Sequence, residues 1–183
     1  MKKGGGRLKG NAFERLVASK IVEAFAEFGI TKEDVFRTPS SGGHRYAKKS
    51  DPGDLVLSRK LEDLFRFSVE CKHERQIDWG LYFRRWRDMP KTAQLKRWFT
   101  QAQEAADIQQ GLMPLVVFQG NHTDIFCALR EGAHTSTLDE RFSSVGYLRV
   151  VAFSNRRPWR VYLFTALLGA CVSIARSRNA ERP

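Results

Sequence analysis

The sequence predicts an α/β fold: a single domain with a mixed central β-sheet flanked by helices. Its 183 residues suffice for one well-packed domain and fall short of two. Helix-spaced apolar residues run through 11–28 and again through 92–109, with strand-like segments between and after them. One of those segments, FRFSVECKHER at 65–75, alternates cleanly. Phe65, Phe67, Val69 and Cys71 point one way and Arg66, Ser68, Glu70 and Lys72 the other, because successive side chains leave a strand on opposite sides.

The first helix, 11–28, carries Phe13, Leu16, Val17, Ile21, Ala24, Phe25 and Phe28 on its apolar stripe, with Asn11 as N-cap. VFRT at 35–38 is a short extended segment. PSSGGHRYAKKSDPG at 39–53 is a loop of turn formers and positive charge. DLVLS at 54–58 and LFRFSVECK at 64–72 flank RKLED, which has the length of a hairpin connection, so the two strands are expected to pair antiparallel. Residues 73–90 are less regular. The helix pattern of 92–109 ends at Gly111. PLVVFQ at 114–119 is apolar throughout, the signature of a strand covered on both faces. Further strands are expected at 123–129, 147–153 and 159–164, followed by a C-terminal helix.

Lys and Arg number 31 against 20 Asp and Glu, a formal charge of +11 and a pI near 10.0. Such an excess favours a polyanionic partner, most often nucleic acid, over a protein merely kept soluble by charge. Cys71, Cys127 and Cys171 form no CxxC pair and are read as buried free thiols in a reducing cytoplasm. The charged N-terminus leads into an amphipathic helix, not the apolar core of a secretion signal. VYLFTALLGACVSIA at 161–175 is shorter than the ~20 residues of a membrane span and reads as a strand plus a buried helix.

Hydrolysis of a phosphodiester calls for hard oxygen ligands to Mg²⁺ and a cation beside the attacking water. Asp54 opens its strand just after Pro52 and Gly53. An antiparallel pairing brings it beside the end of the next strand, where Glu70 supplies a second carboxylate. Lys72, two residues on, emerges on the same face as Glu70. The Cys71 side chain faces the core while its backbone carbonyl is available as a ligand. Glu14 lies roughly 60° from the centre of the first helix's apolar stripe at 100° per residue, so it leans toward the packed side. A carboxylate there is costly unless it meets a cation. Taken singly, Glu14 also suits a helix N-terminus, and an E-x-K pair also suits the polar face of a strand. The ordered set of Glu14, Asp54, Glu70 and Lys72 is the stronger signal.

GDLVL at 53–57 followed by FSVECK at 67–72 resembles the PD-(D/E)XK nuclease core, with Pro52 or Gly53 before Asp54 and Glu70-Cys71-Lys72 as the E-x-K element. KGNAFER at 9–15 and FRTPSSGG at 36–43 are similar to the helix start and the R-x-P-x-S-G loop of archaeal-type Holliday-junction resolvases. The resemblance implies a restriction-endonuclease-like core in which Glu14, Asp54 and Glu70, with the Cys71 carbonyl, surround Mg²⁺, for which Mn²⁺ would substitute. It makes Lys72 the catalytic lysine and brings Ser40 or Ser41 to the scissile phosphate, and it implies a homodimer placing paired nicks in a four-way DNA junction. Within one nuclease domain, 1–9 would then be a basic flexible arm, 10–119 the catalytic core, and 120–178 additional strands and the C-terminal helix. The 39–53 loop is longer and more basic than a minimal resolvase needs, and residues beyond 120 match nothing in that family. A restriction- or repair-type endonuclease on linear duplex, or a non-catalytic basic binder, stands as the alternative.

Phosphate contacts set register on DNA, and the candidates are Lys9, Arg37, Ser40, Arg45, Lys48, Lys49, Arg84, Arg85 and Arg87. YFRRWR at 82–87 is read as a dimer surface in preference to a base-stacking platform. His44, His73, His122 and His134 form no metal-spaced cluster, and His73 is read as a partly exposed loop histidine. Ser40 and Ser41 lack the setting of a serine hydrolase.

Overall fold

The computed structural model of the chain describes residues 5–38, 53–77, 94–109, 111–130 and 159–181. It opens with helix α1, Gly5–Ala24, followed by short 3-10 turns at Ala26–Phe28 and Lys32–Asp34. Strands β1 (Val35–Arg37) and β2 (Leu55–Leu57) lead to a short helix, α2 (Arg59–Leu64), and to β3 (Phe67–Glu74). Helix α3 (Gln94–Ile108), strands β4 (Met113–Gly120), β5 (Phe126–Arg130) and β6 (Trp159–Leu163), and helix α4 (Phe164–Ala180) complete the described elements.

The six strands form one sheet in chain order, β1-β2-β3-β4-β5-β6. Every neighbouring pair is antiparallel except β3 and β4, which run parallel with Phe67 beside Met113 and Glu74 beside Gly120. A parallel pair needs a crossover connection, and α3 lies on that route. The expected α/β class with a mixed, helix-flanked sheet is therefore observed.

Two apolar clusters sandwich the sheet. On one face Phe67, Val69 and Cys71 pack with Val17, Ile21 and Phe25 of α1 and with Leu167 and Cys171 of α4. On the other, Val116 and Phe118 of β4 and Trp159 and Val161 of β6 meet Leu95, Trp98, Phe99 and Ala102 of α3, with Phe99 stacked on Trp159 at 4.2 Å.

Several local expectations need correction. Helix α1 begins at Gly5, so Asn11 lies inside it and caps nothing, and the α-helix stops at Ala24. The RKLED segment is no hairpin turn: Ser58 caps α2 by accepting the Leu61 N–H at 3.3 Å. Good helix formers behind a serine favour a turn of helix over a tight turn. The antiparallel pairing survives this, with Leu55 opposite Val69. The second face of β3, whose environment the alternation leaves open, is dry at Ser68 and Glu70, which are 1% and 2% exposed. His73 belongs to β3 and sets its ring edge-on to Phe13 at 5.6 Å. The strand expected at 147–153 lies outside the described residues.

All three cysteines are buried and free. Burial pushes the Cys71 and Cys127 thiols well up and Cys171 to about 12, so none is primed as a thiolate. Among the described residues no helix is long and apolar enough to cross a membrane.

Candidate active site

Because β2 runs antiparallel to β3, its start lies beside the second half of β3. With Leu55 opposite Val69, Asp54 falls opposite Glu70. The backbone fixes Asp54 tightly. Its N–H donates to the Val69 carbonyl at 2.9 Å, and its own carbonyl accepts the Thr38 N–H at 3.0 Å. The Thr38 hydroxyl adds a bond to the Gly53 carbonyl at 2.8 Å. The Asp54 side chain turns in to the strand, where Oδ2 accepts the Cys71 N–H at 2.8 Å.

Gly53 makes this approach possible. Its φ is +53°, and a Cβ there would sit 2.7 Å from the Val69 carbonyl oxygen. Left-handed backbone costs a non-glycine residue roughly 1–2 kcal/mol before any clash. We expect Gly53→Ala to lower unfolding stability by about 1–3 kcal/mol and to displace Asp54. Urea denaturation checks the first; an unchanged midpoint would refute the close-approach account.

Glu70 is 2% exposed, and Lys72 Nζ donates to its Oε1 at 2.5 Å. Alternation on β3 explains the pairing, for residues two apart share a face. Glu14, 4% exposed on α1, accepts from Arg37 Nε at 2.7 Å, and Arg37 Nη2 also donates to Asn11 Oδ1 at 2.9 Å. Arg37 thereby joins the KGNAFER helix to the strand that opens FRTPSSGG.

Electrostatics mark the cluster as short of positive charge. Burial first, and then the neighbouring Glu70 carboxylate, push the Asp54 carboxyl up to about 8, with Glu14 adding a smaller push and Lys72 opposing it. Two buried carboxylates with one ammonium between them favour either a proton or a further cation. The donors are hard oxygens, the class that Mg²⁺ or Mn²⁺ takes. Yet among the described residues no group of three or more His, Cys, Asp or Glu side chains is arranged to hold a metal ion.

Of the residues singled out from the sequence, Glu14, Asp54, Glu70, Cys71 and Lys72 converge on the β2–β3 end, with Arg37 beside them. Ser40, Ser41, Arg45, Lys48, Lys49, Arg84, Arg85 and Arg87 lie outside the described residues, as does the side chain of Lys9. Three participants were not foreseen. Asn11 holds Arg37, Thr38 holds the Gly53-Asp54 backbone, and Ser68, two residues before Glu70 on the same face, buries a hydroxyl that finds no partner among the described residues. The parity of β3 was a usable signal for Ser68. Nothing local distinguishes Thr38 or Asn11.

A family model described as "Phage putative PDDEXK endonuclease" matches residues 5–166. No curated protein and no solved structure matches the chain. The match spans most of the sequence, from α1 through the sheet to the start of α4, and on it the chain belongs to the phage PDDEXK endonuclease family.

Proposed function

We propose that the protein is a Mg²⁺-dependent endonuclease that nicks branched DNA, with Asp54, Glu70, Glu14 and the Cys71 carbonyl as the cation's ligands and Lys72 beside the attacked phosphate. One observation carries the reading: a buried, cation-poor carboxylate pair, Asp54 and Glu70, held at one strand end with an ammonium on Glu70. When bound, the ion would neutralise charge on the phosphate and lower the pKa of a coordinated water. The chain's own groups do the rest. The Val69 carbonyl and Cys71 N–H fix Asp54 on both its backbone and side chain. Successive odd residues of β3 direct their polar backbone groups to one edge. Cys71 donates to Asp54 there, so its carbonyl projects to the same edge. Lys72 is one-fifth exposed, within reach of both Glu70 and solvent, as a group that orients a nucleophile or steadies developing charge must be.

The branched substrate is favoured by the resolvase-like motifs, in which Arg37 donates to both Glu14 and Asn11. A two-fold dimer would supply the two symmetric nicks, and Ser40, Ser41 and the basic 39–53 segment would meet the backbone near the cut. A restriction- or repair-type enzyme with the same core is the rival reading. A four-way junction and a linear duplex of the same arm sequence, incubated in Mg²⁺ and in EDTA, separate them. Paired nicks in the junction alone, only with Mg²⁺, are expected. Equal cutting of the linear control would transfer the assignment to the rival, and no cutting of any DNA would leave a basic nucleic-acid binder. Size-exclusion mass tests the dimer.

A further inference from the structure

We propose that the cleft lined by α2, α4 and the Ala26–Phe28 turn holds one unpaired nucleotide of a DNA strand, its phosphate on Arg66 and Arg178 and its base against Phe28. The inference rests on the endonuclease reading in taking DNA as the substrate, and it gives the chain a second nucleic-acid contact apart from the carboxylate cluster.

The cleft has a volume of ≈ 610 Å³, within the roughly 300–1,000 Å³ of pockets that hold small organic groups. Its lining sorts by chemistry. Phe28 and Leu64, both half-buried, and the buried Ala175 are apolar, whereas Lys60, Arg66 and Arg178 are exposed cations. Two acids, Glu27 and Asp63, share the lining. Glu27 is already neutralised: Arg176 Nε donates to both its carboxylate oxygens, at 2.9 and 3.1 Å, and Arg176 Nη2 lies 2.8 Å from Oε1. Lys60 Nζ donates to the Gly29 carbonyl at 2.7 Å, and an ammonium has further donors to give. Arg66 and Arg178 have no bonded partner among the described residues. Three cations therefore stand against one uncommitted acid, Asp63.

Guanidinium forks match the oxygens of a phosphate. The apolar part of the same cleft calls for more than an inorganic anion. A phosphate that carries a flat π-bearing body satisfies both halves, and on a DNA strand that body is a base, which stacks on aromatic rings irrespective of sequence. A base inside a duplex has its faces stacked and its edge paired, so an unpaired nucleotide is the one that can meet Phe28. The place in the fold suits such a contact. Arg66 directly precedes β3, where its carbonyl accepts the Met113 N–H at 2.9 Å. Glu70 follows on the same strand, about 13 Å away at a rise of ~3.3 Å per residue. About four stacked nucleotides at ~3.4 Å each cover that distance.

Binding of a short oligothymidylate in EDTA, where no metal supports cutting, tests the cleft. Fluorescence anisotropy gives the affinity, and photo-crosslinking of a bromodeoxyuridine-substituted strand, mapped by mass spectrometry, gives the place. Crosslinks are expected on the peptide holding Phe28 with the single strand and not with the same sequence in a duplex. Arg66→Gln/Arg178→Gln should weaken strand binding at least about fivefold and lower the slope of log affinity against log salt by about 1. Lys32→Gln/Arg97→Gln removes the same charge from exposed positions outside the cleft, and should change the affinity less than about twofold. Phe28→Leu keeps apolar bulk, removes the ring, and should cost at least about threefold in affinity together with the crosslink. Thymidine monophosphate should compete far more weakly than the strand; equal competition would overturn the strand in favour of a free nucleotide. Crosslinks that avoid residues 26–28, 60–66 and 175–179, or an arginine pair whose loss matters no more than that of Lys32 and Arg97, would overturn the proposal. Either result leaves the endonuclease reading standing, because that reading is decided by cutting in Mg²⁺.

Discussion

Replacing Asp54 by Asn is expected to abolish cleavage and, in the absence of metal, to make the protein more stable. Asn keeps the shape of the side chain and an oxygen for the Cys71 N–H, so the backbone around residues 53–54 has no reason to move. What goes is a charge the fold tolerates badly. The carboxyl is 8% exposed, and burial together with Glu70 pushes it up to about 8. A folded pKa above the unfolded one means that the native state holds its proton more tightly. The group's contribution to stability is then complete below the unfolded value, near 3.9, and is lost as pH rises through about 8. Asn carries no such penalty. Its advantage should be absent near pH 4, widen across neutrality, and reach about 1–3 kcal/mol above pH 8. Thermal unfolding in EDTA at pH 5, 7 and 9 measures it. Cleavage of whichever DNA the wild type cuts should fall by at least ~1,000-fold, about 4 kcal/mol of barrier. Retention of more than a tenth of the activity would remove Asp54 from the machinery.

Replacing Lys72 by Met should be as damaging to cleavage and opposite in its effect on stability. Met matches the length of the Lys stem and removes the ammonium that Glu70 accepts from at 2.5 Å. Glu70, almost wholly enclosed, is then an anion without its partner. Breaking a buried pair from one side typically costs 3–5 kcal/mol. With Lys72 one-fifth exposed, a loss of about 2–3 kcal/mol is the better expectation here. Two further measurements make the origin of the loss visible. Millimolar Mg²⁺ should recover part of it, since a cation at the same carboxylates replaces the missing charge. The double variant Glu70→Gln/Lys72→Met should be less destabilised than Lys72→Met alone, because no charge is stranded. If the double variant is the weaker of the two, Lys72 stabilises through packing of its stem and the electrostatic account is wrong. The contrast between the two substitutions is informative: both are expected to silence cleavage, one while firming the fold and the other while loosening it.

How much of this was legible beforehand depended on range along the chain. The period-two pattern of 65–75 placed Glu70 and Lys72 together, and the adjacency of GDLVL placed Asp54 near them, because β2 and β3 follow one another with only α2 between. The same pattern leaves the environment of that face open. A strand's alternation reports which residues share a side, and whether the side is wet depends on what covers it. Here the cover is α3, which begins at Gln94. The helical angle of Glu14 indicated burial without indicating its partner, Arg37, which a loop and two 3-10 turns separate from it. Asn11 suits a cap after a glycine-rich stretch, whereas the helix begins six residues earlier, at Gly5. RKLED failed for want of length, since five residues between strands suit a turn or a turn of helix equally.

The parallel β3–β4 pairing has a consequence for how the molecule comes into being. As the chain leaves the ribosome, β2 and β3 can zip together at once, but the partner for the far edge of β3 is not yet made. Until β4 arrives, β3 waits with one row of backbone groups open, the condition in which nascent proteins stick to one another. Glu70, Lys72 and Glu74 put charge on one face of that strand, and charge is what discourages a stray strand from docking. Replacing Glu70, Lys72 and Glu74 together by apolar residues is expected to raise the insoluble fraction on expression, read by comparing pellet and supernatant.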